Sequence, residues 1–144
     1  MEAMGFSPWG PSMPHTIFVT APTLAAEGVA HLERAGSRVI YLGGPKDASE
    51  VERVMAREPI DAVISRTVDL SARAIDACPS LRVVSKHGVG VSNIDVAACT
   101  RRGIPVYTTP GANAQSVAEL TIGLMIAAAR KVAPRFGFAR WPAL

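Results

Sequence analysis

"LRVVSKHGVGVSNIDVAACTRRGIPVY", residues 81–107, decides the fold. Leu81-Arg82-Val83-Val84-Ser85 is a short, mostly apolar run rich in β-branched side chains, the signature of a buried strand. Residues 96–102 read as a helix. Arg101-Arg102-Gly103 ends it with two cations at the negative end of the helix dipole and a glycine past the last turn. Ile104-Pro105-Val106-Tyr107 is again a strand. A strand, a glycine loop, a helix and a second strand make a βαβ unit, and such units require a parallel sheet.

Outward from this unit the same alternation recurs. Residues 16–20 form a first strand, followed by helical periodicity over 24–35 that stops at Gly36. Residues 38–42 form a second strand. Asp47 and Glu50 are spaced as a capping box for a helix ending at Arg57. Residues 61–65 form a third strand, and a helix from Ser71 stops before Pro79. The fourth strand and its helix, with Ser92 and Asp95 as a second box, lead to the fifth strand. Five strands alternating with helices predict a flavodoxin-like, doubly wound, parallel α/β sheet with both faces covered.

The last helix is different. Ser116 and Glu119 form a third box, and residues 120–129 are then apolar nearly all round. Such a helix expects burial on every side, against another domain or subunit. The expected organisation is a disordered tail over 1–14, a compact domain over 15–112, a connecting loop and long helix over 113–132, and a cut-short tail over 133–144.

Bulk properties exclude several function classes. A 49% hydrophobic content in 144 residues suits one folded domain. The net charge of +3 is scattered, without aromatic residues interleaved in a basic stripe, so nucleic-acid binding is not expected. No apolar run approaches a membrane span, and residues 1–14 lack the basic and apolar regions of a signal peptide. Cys78 and Cys99 fall in predicted helices without metal-ligand spacing, which suits free thiols in a cytoplasm.

The glycine loop invites comparison with the dinucleotide fingerprint G-x-G-x-x-G. The third glycine position holds Asn93, and the next strand runs into Thr108-Thr109-Pro110 without the acid that binds a ribose. A different ligand suits it better. Two glycines allow close backbone approach, N–H groups ahead of a helix favour an anion, and Lys86 and Arg66 lie at strand ends on the same rim. These residues suit one small acid equally as well as they suit a tight turn flanked by solvated cations.

The Gly88-Val89-Gly90 loop, Asn93-Ile94-Asp95, Arg102-Gly103-Ile104, residues 109–113 and Ser116-Val117-Ala118-Glu119-Leu120 together resemble the D-isomer-specific 2-hydroxyacid dehydrogenases, most closely their phosphoglycerate dehydrogenase branch. The resemblance extends over residues 15–132 and is strongest from Leu81 onward. It implies a substrate domain that precedes an NAD-binding Rossmann domain, with the helix from Ser116 joining the two. It implies that a small 2-hydroxy or 2-keto acid meets Arg66, Lys86, Gly88, Val89, Gly90 and Asn113, and that Val117 lies on the nicotinamide side. Lys86 stands where arginine is common, so a bidentate clamp is absent, and Ser92 stands where aspartate is frequent. The family's proton-transfer His, its Glu and its anchoring Arg would follow Leu144. His31 and His87 are therefore expected in surface or packing roles, no catalytic residue is assigned, and no NAD is expected to bind this chain by itself.

Two other functions are weighed against that one. A stand-alone module would bind small acids, or pair with its own copy through the 116–132 helix, without catalysis. A receiver or flavin carrier on the same fold would need acids after strands one and three, or a glycine-bearing phosphate loop. Residues 19–21 and 64–66 supply no acid, and Thr20-Ala21-Pro22-Thr23 supplies hydroxyls but no glycine.

Overall fold

The structure is a computed structural model that describes residues 14–44 and 46–131. The tails expected over 1–14, Pro14 apart, and over 133–144 lie outside the described residues. The chain divides into two compact units, one ending at Thr109 and one beginning at Pro110.

The first unit alternates strand and helix throughout: β1 (Thr16–Val19), α1 (Ala26–Arg34), β2 (Arg38–Tyr41), α2 (Ala48–Arg57), β3 (Ala62–Ser65), α3 (Ala72–Ala77), β4 (Val83–Lys86), α4 (Val96–Arg101) and β5 (Val106–Tyr107). All strand pairs are parallel, in the order β2-β1-β3-β4-β5. This is the flavodoxin-like order, with its topological switch between β1 and β3. The second unit is built on α5 (Ala114–Ala129).

The core lies between one sheet face and helices α2, α3 and α4. Phe18, Val63 and Val84 from the three central strands are wholly buried against Val51, Met55, Ile75 and Cys99. The sheet is covered on both faces at its centre, where Phe18 and Val19, neighbours on β1 that point to opposite faces, are both wholly buried. β3 and β4 alternate between buried and half-buried residues, so Ala62, Ile64, Val83 and Ser85 are only partly enclosed. Strand composition cannot report this, because β-branched residues suit a half-covered face as well.

The capping expectations divide in the same way. The Asp47 side chain accepts the Glu50 N–H at 2.9 Å, but Glu50 turns to Arg53 and does not close a reciprocal box. Before α4 the cap is Asp95, accepting from Ala98 N–H at 2.8 Å, and Ser92 takes no part. Ser116 lies inside α5, whose first turn is set by Val117 N–H donating to the Asn113 carbonyl at 2.9 Å. The S-x-x-E spacing is satisfied equally well within a helix, where Glu119 accepts from Gln115 four residues earlier. Cys78 caps the end of α3 and is not inside it, and both cysteines are buried and free. Gly36 ends α1 with φ +67°, as its position past the last turn implies.

Candidate small-acid site at the strand rim

In a parallel sheet the carboxyl ends of all strands share one rim, and ligands of open α/β sheets bind there. Adjacent strands β3 and β4 bring Ser65 opposite Lys86 on that rim. The loops that leave them, residues 66–70 and 87–95, are tied again farther out. Leu70 N–H donates to the Asn93 carbonyl at 2.8 Å, and Asp95 N–H donates to the Leu70 carbonyl at 3.0 Å.

The side chain of Asn93 fills the space between these two ties. Its Nδ2 lies 3.1 Å from Ser65 Oγ, 3.2 Å from the Arg66 carbonyl and 2.9 Å from the Val68 carbonyl, so two hydrogens are shared among three acceptors. Its Oδ1 accepts from Lys86 Nζ at 2.6 Å. Lys86 Nζ also donates to the Arg66 carbonyl. Lys86 was expected to present its charge to a ligand, but its side chain is 9% exposed and its ammonium points into this network. Burial pushes the Lys86 ammonium down from its ordinary range, since removing a cation from water disfavours the charged form. Asn93 is the residue that sequence reasoning missed. In the sequence it figures as an absent third glycine and as part of the Asn93-Ile94-Asp95 motif, and nothing in its spacing announces a half-buried amide bonded across the rim.

Arg66 is held from both sides of its own peptide. Its N–H donates to the hydroxyl of buried Thr20 at 2.9 Å, and its carbonyl takes the bonds from Lys86 and Asn93. The guanidinium of Arg66, a half-buried residue, makes no hydrogen bond or ion pair with the described residues.

The glycine loop shows a division of labour. Gly88 has φ +137°, and its N–H lies 2.9 Å from the Lys86 carbonyl and 3.1 Å from Thr109 Oγ1. Its carbonyl accepts from Thr109 N–H at 2.9 Å. Gly88 therefore forms the turn, and its own N–H is already engaged. The next two N–H groups, those of Val89 and Gly90, have no partner among the described residues. Both residues are exposed. Asn113 and Val117 belong to the second unit. Asn113 precedes α5 without a side-chain cap bond, and Val117 is exposed in its first turn. His31 and His87 are exposed.

A dinucleotide does not fit this loop. The Asn93 side chain occupies the place of the third glycine and is fully engaged there. The Asp95 carboxylate stands at the start of α4, where a pyrophosphate would need to be. Among the described residues no three His, Cys, Asp or Glu side chains gather as a metal site, and no helix is long and apolar enough to cross a membrane. A separate pocket lined by His15, Ile17, Asp61, Ala62 and Val83 lies at the amino ends of the strands, away from this rim.

The model of the family "D-isomer specific 2-hydroxyacid dehydrogenase, catalytic domain" matches residues 17–138. The chain belongs to the D-isomer specific 2-hydroxyacid dehydrogenase family. A D-3-phosphoglycerate dehydrogenase of Archaeoglobus fulgidus is 35% identical over 114 residues, covering 79% of this chain and 21% of that relative. A hydroxypyruvate reductase of Thermotoga maritima is 43% identical over 75 residues, covering 51% of this chain and 24% of the relative. The solved structure of NAD+-bound 3-phosphoglycerate dehydrogenase from Entamoeba histolytica superposes with a TM-score of 0.70 at 31% identity, covering 92% of this chain and 43% of that one. This dehydrogenase-family chain thus spans about a fifth to a quarter of the length of these curated relatives.

Proposed function

We propose that the chain is the acid-recognising part of a cytoplasmic, NAD-dependent D-2-hydroxyacid dehydrogenase of the phosphoglycerate dehydrogenase type. The carboxylate of a 2-hydroxy or 2-keto acid rests on the N–H groups of Val89 and Gly90, with Arg66 as counter-charge. The observation that carries this reading is the run of N–H groups, beginning with Val89 and Gly90 on the strand-end rim, that have no partner among the described residues. Gly88 shapes the turn that presents them, and Lys86 contributes from within. Two buried free thiols support the cytoplasmic assignment. The roles of Asn113 and Val117, on the substrate and nicotinamide sides, rest on the family resemblance alone. NAD belongs to the whole enzyme, because the residues of this loop do not suit it, and the isolated chain binds acids without turning them over.

Calorimetry with D-glycerate, D-lactate and glyoxylate, beside a fluorescence titration with NADH, tests this directly. Saturable acid binding is expected, and it should weaken at least tenfold in Arg66→Ala, since a hydrogen bond to a charged group contributes roughly 1.5–3 kcal/mol. No NADH binding is expected. Specific micromolar NADH binding, or turnover by the pure chain, would overturn the division of labour proposed here.

A second reading concerns α5 and rests on its surface. Val117, Leu120, Ile122, Leu124, Met125 and Ile126 are each more than half exposed. An apolar surface of this kind favours association, and a second copy of the helix would bury it. Sedimentation should show a homodimer that Leu120→Glu with Leu124→Glu, one turn apart on the same helix face, converts to monomer. A monomeric wild-type chain would remove this reading.

A further inference from the structure

We propose that Lys86 and Asn93 are positioning residues, which hold the Arg66 cation and the Val89–Gly90 amides at a fixed separation so that one small carboxylate meets both. The inference rests on the acid site proposed above and assigns Lys86 a part other than direct ligand.

Three observations support it. Lys86 Nζ is directed to the Arg66 carbonyl and Asn93 Oδ1, and the residue is 9% exposed. The Asn93 amide then bonds the β3 side of the rim at Ser65, Arg66 and Val68, while Asn93 itself belongs to the loop that carries Val89 and Gly90. Finally, the backbone ties between the two sides of the rim lie at Ser65–Lys86 and at Leu70–Ile94, and among the described residues the Arg66 carbonyl is held by these two side chains alone. A long, flexible cation such as Arg66 loses considerable rotamer freedom when it binds. A fixed backbone reduces what remains to be ordered, and that is how preorganisation raises affinity. The buried ammonium therefore acts at one remove. It fixes the platform from which Arg66 reaches, and the Lys86–Asn93 bond joins that platform to the loop bearing the Val89 and Gly90 amides.

The test uses the whole chain and three variants: Lys86→Met, Lys86→Gln and Lys86→Arg. D-Glycerate affinity is measured by calorimetry, and amide hydrogen exchange is followed at Arg66. Lys86→Met should weaken D-glycerate binding roughly tenfold and speed Arg66 N–H exchange by a similar factor, as expected for one lost buried hydrogen-bonded contact. Lys86→Arg, which keeps a cationic donor, should recover most of both. Weakened affinity with unchanged Arg66 exchange would mark Lys86 as a direct ligand and overturn the proposal. Unchanged affinity would overturn it as well. If wild type binds no acid at all, the carboxylate site itself fails, and Arg66 exchange alone then decides whether Lys86 positions the two loops. Should Lys86→Met not fold, Lys86→Gln, which retains a neutral donor, is judged by the same two measurements.

Discussion

Alanine in place of Gly88 should lower stability by about 2 kcal/mol, whereas alanine in place of Gly90 should leave stability unchanged and weaken acid binding. The two glycines are two residues apart and look equivalent in the sequence. At Gly88 the backbone has φ +137°, which L side chains rarely adopt. A Cβ there would meet only Lys86 Cε at 3.9 Å, an ordinary contact, so the cost is conformational and not steric. At Gly90 a Cβ would meet nothing within 4 Å and the backbone is not in the positive-φ region, so no folding penalty arises. The absent side chain instead keeps space open over an N–H that has no partner among the described residues. Urea unfolding of both variants, with D-glycerate calorimetry on Gly90→Ala, separates the roles. A Gly90→Ala chain that binds the acid as tightly as wild type would show that the carboxylate does not sit on this loop.

Asn93→Ala is expected to cost about 3 kcal/mol and to abolish measurable acid binding, the largest effect of any single substitution at this rim. Its amide serves Ser65 Oγ and the carbonyls of Arg66 and Val68, and its oxygen accepts from the buried Lys86 ammonium at 2.6 Å. Truncation leaves a cation and several acceptors short of partners where water has little access, and a buried charge is costly to leave half satisfied. The lost stability should appear as a lower urea midpoint with an unchanged slope, since the area exposed on unfolding stays the same. A loss below 1 kcal/mol would mean that water enters and replaces the amide. The Lys86–Asn93 pair would then not be the element that holds Arg66 in place.

Much of the scaffold was legible before any coordinates, for reasons visible in particular residues. Ile17, Phe18 and Val19, then Val63 and Ile64, then Val83 and Val84 are runs too short for helices and bounded by turn residues, and each became a strand. Gly36 and Gly103 follow helix ends and both have positive φ. The helix caps were less legible. Ser116 and Glu119 have capping spacing, yet the preceding turn at residues 111–114 starts α5 earlier. Local spacing states only that a cap is possible, and the chain before it decides where the helix begins.

The site was legible in part. Arg66, Lys86 and the glycine loop were placed on one rim by the order of strands and helices, and parallel pairing of β3 and β4 puts them there. What each side chain does within that rim could not be read, because the decision is made by contacts across residue separations of 20 to 28. Asn93 changes from an unsuitable glycine substitute to the centre of a network only when residues 65–68 are folded against it.

By itself the amino-acid sequence determined the alternation of elements, the parallel sheet and the family, because hydrophobic periodicity, turn residues and motif spacing are local properties that any part of the chain carries alone. The tertiary structure decided which N–H groups stay free among the described residues, that Lys86 is buried and that the Arg66 guanidinium has no partner among those residues. Hydrogen bonding is a competition among all groups brought within about 3 Å, and only the folded chain settles which groups those are.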